Sequence, residues 1–156
     1  MNLPYILAER EEKMSNELMK QELKQAIVAG ERALSSLLAA QEKLNSARSW
    51  GALDMFGGGM FTTMVKRSKV NDASKCIEDA KRTLIVFQKE LQDVHVSPNL
   101  RMEIGSFLSF ADFFFDGFVA DYLVQRKIAD AREQVADAIL RVRKIVSDLK
   151  LQYQRI

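Results

Sequence analysis

The sequence has few of the residues that carry most catalytic and redox chemistry. It holds one cysteine and one histidine among 156 residues. The cysteine, Cys76, cannot form an internal disulfide, which predicts a reducing compartment and a thiol that fills core space. The histidine, His95, adjoins a proline turn and is expected to satisfy a local hydrogen bond. Neither a nucleophile–base set nor a paired metal-ligand motif is visible, so no catalytic residue or cofactor is predicted.

Long apolar runs and a strong excess of one charge are also missing. The most apolar stretch, residues 50–65, contains Asp54 and three consecutive glycines, so it is unsuited to crossing a bilayer as a helix. Residues 1–13 lack the basic flank and sustained apolar stretch of a secretory signal. The formal net charge of +2 is too small to indicate a nucleic-acid-binding protein. These absences predict a soluble, cytoplasmic protein without nucleic-acid partners.

What the sequence does have is heptad periodicity. Residues 23–44, 73–94 and 128–149 repeat apolar or small residues at alternating steps of three and four. Each stretch covers about 33 Å of helix at 1.5 Å per residue, so the three can lie side by side. The sequence predicts one all-α domain over residues 1–156, with three long helices in a coiled-coil-like bundle. In the first helix the predicted seam is Leu23, Ile27, Gly30, Leu34, Leu37 and Leu44, beside a second stripe of Ala26, Ala33, Ala40 and Ala47.

Two interruptions divide the predicted helices. Residues 57–59 are glycines and predict a loop after helix one. Pro98 predicts the end of helix two, and two topologies remain open after it. A tight turn at 96–99 would make helix three antiparallel to helix two. The apolar–charged alternation of residues 100–104 instead favours an extended crossover over 96–105, with an N-cap at Ser106 starting helix three.

The two segments that break the heptads, residues 48–70 and 106–127, are predicted to meet as a head. The first belongs to SARSWGALDMFGGG, from Ser46 to Gly59, and continues to Lys66-Arg67-Ser68, with Asp72 and Ala73 beyond; the second contains FLSFADFFFDGFVAD, from Phe107 to Asp121. These motifs resemble a family of bacterial helical proteins with SARxWGxxDxxGGG and FLxFADxFFDGxxAD segments, over nearly the whole chain. The resemblance implies no established activity. Arg67 stands where that family has histidine, so a metal or acid–base role of that histidine does not transfer.

The acidic residues of the head allow a chemical interpretation and a structural one. Asp112 and Asp116 share a helix face, and with Asp121 or Asp54 they could hold a divalent cation that assists phosphate chemistry. In the structural interpretation, these carboxylates pair with the basic residues near Lys66.

The glycine loop also has two interpretations. It lacks the ending of a nucleotide-binding loop, but the apolar residues of 50–65, followed by Lys66 and Arg67, could dip into a membrane surface. Alternatively these side chains pack against the phenylalanines of 107–118. The head is expected to bring the Trp50–Gly59 loop directly against the Phe107–Asp121 helix.

The favoured function is that of a non-enzymatic bundle acting by self-association or protein binding. Phe113, Phe114 and Phe115 point in three directions around a helix, so a monomer struggles to bury them all and a homo-oligomer would cover them. The candidate binding or structural residues are Trp50, Asp54, Gly57, Gly58, Gly59, Lys66, Arg67, Ser68, Asp112, Asp116 and Asp121.

Overall fold

The computed structural model describes residues 2–54, 60–117 and 128–156, and the side chains of 2–46, 71–112 and 130–156. Within these ranges the chain forms helices and no strand, which confirms the all-α prediction for this part of the molecule. Four helices occur in it, not the predicted three: α1 (Leu3–Asp54), α2 (Met60–Asp93), α3 (Pro98–Gly117) and α4 (Ile128–Arg155). None of the helices described here is long and apolar enough to cross a membrane.

The predicted seams of α2 and α4 are buried in the core. The buried residues from α2 and its C-terminal end are Ala73, Ile77, Ala80, Leu84, Phe87, Leu91 and Val94, and those from α4 include Ala131, Val135, Ala138, Val142, Ile145 and Leu149. Both sets follow the three–four alternation, which places every member on one side of its helix. The heptads of these two helices therefore predicted the buried face correctly.

In α1 the buried seam runs through the alanine stripe. Leu23, Ala26, Ala33, Leu37, Ala40 and Leu44 have no exposed surface. Ile27 and Leu34, which the sequence placed in the seam, are only half-buried at its edge. Alternating leucine with alanine leaves room for side chains from neighbouring helices, so the small residues occupy the centre of the interface.

The predicted extended crossover is wrong, because residues 98–117 form α3. Leu100, Ile104, Phe107 and Ala111 are buried at helical steps of four, three and four. Met102, whose apolar character suggested a strand, is 75% exposed. The apparent period of two arose from one exposed methionine next to a true helical stripe.

A short turn joins α2 to α3, and its hydrogen bonds explain why it is tight. The Ser97 hydroxyl accepts a hydrogen bond from the Leu100 N–H at 3.4 Å, and the Ser97 carbonyl accepts one from the Arg101 N–H at 2.9 Å. Ser97 thus caps α3 and Pro98 occupies the first helical position, where its missing N–H costs nothing. The predicted N-cap at Ser106 is wrong. The Arg101 guanidinium donates to the carbonyls of Leu91 and Val94, which satisfies acceptors at the end of α2.

The four helices form a ring in which α1 and α3 each lie beside α2 and α4. Asn45 contacts Arg132 and Glu31 contacts Lys150, so α1 and α4 are antiparallel. Phe87 of α2 and Phe107 of α3 meet with ring centroids 5.6 Å apart. With the tight turn at 94–97, the order is an antiparallel up-down-up-down bundle.

Gly30 is the position where α1 comes closest to the side chains of its neighbours. A Cβ atom on Gly30 would lie 2.5 Å from Cγ2 of Val146 and 2.9 Å from Cε1 of Phe87. Real Cβ atoms do not approach other heavy atoms so closely, so Phe87 and Val146 occupy the space that any other residue at position 30 would need. The centre of the bundle is built around this glycine.

Candidate functional site

Most of the residues predicted from sequence as a head lie outside the described side chains. Trp50 and Asp54 belong to the last turns of α1, Lys66, Arg67 and Ser68 belong to α2, and Asp116 belongs to α3, in each case as backbone only; Gly57, Gly58, Gly59 and Asp121 lie outside the described residues. The expected contact between the Trp50–Gly59 loop and the Phe107–Asp121 helix also falls there and stays a prediction. The route proposed for it, through an extended crossover, is excluded by α3.

Asp112 is the one predicted site residue whose side chain is described. It is exposed, and its Oδ1 accepts a hydrogen bond from Nε2 of Gln88 at 3.2 Å. This contact ties α3 to α2 across the tight turn. Among the described residues, no group of three or more histidine, cysteine, aspartate or glutamate side chains is placed to hold a metal ion. In the described region, Asp112 serves as a contact between helices.

Cys76 and His95 have structural surroundings. Cys76 is half-buried against the core, and burial raises the pKa of its thiol, so the thiolate nucleophile is disfavoured. His95 is exposed just beyond α2, with Nδ1 2.8 Å from Oε2 of Glu22 in α1. The histidine therefore joins the end of α2 to α1, through a contact between distant residues and not the local hydrogen bond that the sequence predicted.

The N-terminal part of α1 extends beyond the described part of the bundle. Residues 2–15 are exposed without exception, whereas Leu23 is fully buried. Lys20, whose ammonium lies 5.9 Å from the ring centroid of Tyr153, and Glu22, which pairs with His95, mark the place where α1 joins the other helices. We refer to Leu3–Leu18 as the N-terminal segment.

The N-terminal segment carries an exposed apolar stripe. Its members are Leu3, Leu7, Met14 and Leu18, which are 64%, 51%, 64% and 59% exposed. Because steps of 4, 7 and 4 residues return to one side of an α-helix, the four side chains lie along one side, in two pairs with Arg10 and Glu11 in the interval between Leu7 and Met14. Single exposed leucines are common on protein surfaces, but a row of them along a projecting helix is typical of a helix-pairing face.

A second unusual arrangement lies where α3 meets the end of α4. A groove of about 200 Å³ is lined by Ser97, Asn99, Leu100, Glu103, Asp148, Leu151, Gln152 and Arg155. At one end of it, Nε2 of Gln152 donates to the Ser97 hydroxyl at 2.7 Å. Beside it, the Lys144 ammonium lies 2.9 Å from Oε1 of Glu103. These contacts join α4 to the start of α3.

Two carboxyl groups face each other in this groove. A hydrogen bond with Glu103, followed by burial and the charge of Glu103, raises the pKa of Asp148. The same hydrogen bond and Lys144 lower the pKa of Glu103. Oε2 of Glu103 is buried and accepts no hydrogen bond from an N–H or hydroxyl group of the described residues. The protonated form of Asp148, whose pKa is raised, is a group that can donate to this oxygen. The pair can therefore share one proton, which links α3 to α4 in a pH-dependent way.

The N-terminal segment was missed in the sequence analysis because residues 1–13 were considered only as a targeting signal. The exposed stripe could have been found from its spacing, since Leu3 and Met14 are 11 residues apart and so are Leu7 and Leu18. The exposure of this stripe could not have been predicted, because nothing in the sequence shows that α2 and α4 end close to residue 20 of α1.

Comparisons with models of protein families, with curated proteins and with solved structures gave no match.

Proposed function

We propose that this chain is a non-enzymatic helical-bundle protein that acts by self-association, with the N-terminal segment as its association surface. The observation that carries the proposal is the exposed stripe of Leu3, Leu7, Met14 and Leu18 on a helix that continues past the bundle. Helices in proteins gain most of their stability from packing an apolar face against a neighbour. In the described part of the chain these four residues are left without such cover, and a second chain can supply it.

The remainder of the described structure fits a scaffold. The core has no buried polar or charged residue among the described side chains, and the ion pairs of Lys144 with Glu103 and of Lys150 with Glu31 join helices outside the core. Such a core holds α1 rigidly from Leu23 to Leu44. Because residues 23–44 of α1 are held in the core, the direction of the N-terminal segment is fixed. A fixed direction favours a defined assembly over non-specific aggregation.

The two alternatives from the sequence find no additional support. The membrane-binding tip at 50–65 lies among residues whose side chains are not described, and the cation site at Asp112 and Asp116 has one described member, which bonds to Gln88. Both stay predictions.

Sedimentation velocity over a range of protein concentrations tests the proposal. The wild-type chain should shift from monomer to dimer or a higher oligomer as concentration rises, and Leu7→Glu with Met14→Glu should abolish the shift because charges would enter the apolar seam. Tyr5→Glu is the matched control, since Tyr5 is 63% exposed in the same segment but lies on another face. A wild-type chain that stays monomeric, or equal loss of association in the control, would refute this function.

A further inference from the structure

We infer that the exposed stripe is the seam of a parallel, in-register homodimer whose orientation is set by Arg10 and Glu11. This inference rests on the proposed self-association and adds the partner, a second copy of the chain, and the direction in which it binds. The residues that carry it are the four apolar members of the stripe and the two charged residues beside its centre.

The stripe is straight enough to pair with a copy of itself. Leu3 and Met14 are separated by 11 residues, about three helical turns, and so are Leu7 and Leu18. From Leu3 to Leu18 the seam is about 22 Å long at 1.5 Å per residue. In a parallel dimer each of the four residues meets its own equivalent, so the apolar surfaces coincide along the whole length.

The apolar spacing alone does not choose a direction. Leu3 and Leu18 are placed symmetrically about the midpoint between residues 10 and 11, and so are Leu7 and Met14. An antiparallel dimer centred on that midpoint would therefore also bring apolar residues together. The charges at the centre distinguish the two arrangements.

Arg10 and Glu11 lie on either side of the middle of the seam. Since each residue turns the helix by about 100°, each side chain is about 50° from the centre line, Arg10 on one flank and Glu11 on the other. In a parallel dimer with a two-fold axis along the helices, each flank faces the opposite flank of the partner. Arg10 then meets Glu11 of the partner subunit, and the same pair forms again by symmetry. In an antiparallel dimer each flank faces its own equivalent, which brings arginine to arginine and glutamate to glutamate. Parallel pairing is thus favoured by attraction and antiparallel pairing disfavoured by repulsion.

The other charges near the seam do not reverse this preference. Lys13 and Glu17 both lie farther out on the Arg10 flank and carry opposite signs. Ser15 on the Glu11 flank is neutral. The reciprocal pair between Arg10 and Glu11 therefore decides the orientation.

The bundle leaves room for a parallel partner. The core seam of α1, which begins at Leu23, lies roughly 110° around the helix from the exposed stripe at 100° per residue. Two copies joined along their N-terminal segments would therefore carry their bundles on outward-facing sides. The polar residues Gln21 and Gln25 continue the stripe toward the bundle, so the apolar seam ends before the bundle begins.

Single-cysteine cross-linking of the full chain tests the orientation. Leu7→Cys and Met14→Cys, each in a Cys76→Ser background, should both give disulfide-linked dimers on mild oxidation, because in-register pairing brings equivalent Cα atoms within about 7 Å. Cross-linking that occurs only when the two variants are mixed would show antiparallel pairing and overturn the inference, while the proposed self-association would stand. Self-association without any cross-link would overturn the assignment of the seam to this stripe. A chain that is monomeric in sedimentation would overturn both.

Charge reversal gives a second readout that keeps Cys76 intact. Arg10→Glu should weaken the dimer about tenfold, because two attractive pairs become repulsive, and adding Glu11→Arg should restore the dissociation constant to near the wild-type value. Glu9→Arg is the matched charge reversal on the opposite side of the helix and should leave the constant unchanged. An unchanged constant in Arg10→Glu would overturn the role of the pair.

Discussion

The two halves of α1 differ although the helix is continuous from Leu3 to Asp54. Between residues 23 and 44 the seam is completely buried by α2 and α4, whereas between residues 3 and 18 an equally regular stripe is exposed. Both stripes follow helical spacing, so periodicity alone does not reveal which one forms the core. What separates them is the presence of neighbouring helices of the same chain, and under the proposed self-association a second chain would cover the stripe that lies beyond those neighbours.

The largest expected difference between the halves comes from the same substitution made in each. Leu37→Ala should lower the free energy of unfolding by about 2–5 kcal/mol, because Leu37 is fully buried and its loss leaves a cavity. Leu7→Ala should change it by less than about 0.5 kcal/mol in dilute monomer, since Leu7 is half-exposed outside the bundle. Urea denaturation at low protein concentration measures both values. Equal losses would mean that the N-terminal segment packs against its own bundle.

Glycine-to-alanine substitutions sharpen the contrast between packed and open helix surfaces. Gly30→Ala should destabilise the fold by about 1–2 kcal/mol, because the clash with Phe87 and Val146 outweighs the gain of about 1 kcal/mol in helix propensity. Gly105→Ala in α3 should instead stabilise it by about 0.5–1 kcal/mol, since a Cβ there meets no atom within 4 Å. Thermal unfolding of both variants checks the opposite signs; a stabilised Gly30→Ala would contradict the close packing of α1.

The lowered pKa of Glu103 and the raised pKa of Asp148 predict a smaller, pH-dependent effect at the end of the bundle where the N-terminal segment emerges. Because the folded pKa of Asp148 is raised, its contribution is present at low pH and is lost as pH rises through that pKa. Because the folded pKa of Glu103 is lowered, its contribution is lost only as pH falls through that value. The pair is therefore most stabilising between the lowered pKa of Glu103 and the raised pKa of Asp148.

Asp148→Asn keeps a hydrogen-bond donor facing Glu103 at every pH. Above the pKa of Asp148 this variant should be more stable than wild type, by less than about 1 kcal/mol because both groups are partly exposed, and it should lose less stability as pH rises through that pKa. Urea titrations at several pH values measure the difference. Glu103→Gln is the contrasting variant, since it removes the ion pair with Lys144. An unaltered pH profile in Asp148→Asn would show that the two carboxyl groups do not share a proton.

The smallest expected change in the free energy of unfolding concerns the ion pair that joins residues 23–44 of α1 to α4. The Lys150 ammonium lies 2.8 Å from Oε1 of Glu31, with both side chains about half-exposed. Lys150→Ala should cost no more than about 0.5 kcal/mol, because exposed ion pairs are screened by solvent. A loss above about 1 kcal/mol in a double-mutant cycle with Glu31→Ala would show that surface charges, and not the apolar seam, hold α1 in place.

The sequence predicted the helices better than it predicted their connections. The heptads of α2 and α4 located their buried faces because each apolar residue there has a neighbour to pack against. The same evidence was less clear in α1, where the buried face takes residues from both predicted stripes: Leu37 and Ala33 are fully buried, whereas Ile27 and Leu34 are only half-buried. At residues 100–104 the exposed Met102 gave the sequence the two-residue period of a strand. The helix is evident from the cap at Ser97 and from the buried stripe that continues to Phe107.

The candidate site was harder to predict than the fold. The sequence directed attention to acidic and aromatic residues between 106 and 121, of which Asp112 has a described side chain and a partner in Gln88. The N-terminal segment was overlooked because its composition is ordinary. Exposure depends on where other helices end, and helix ends are set by local capping at residues such as Ser97 that are distant from the segment in sequence.

Amide hydrogen exchange as a function of protein concentration tests the central claim most directly. Amides of residues 5–18 should exchange rapidly in dilute protein and become progressively protected as concentration rises, because a second chain then covers the stripe and suppresses fraying of the helix. Amides of residues 26–44 should be protected at every concentration, since the bundle itself covers them. Protection of residues 5–18 that does not change over a concentration range from about 1 µM to 1 mM would contradict the account.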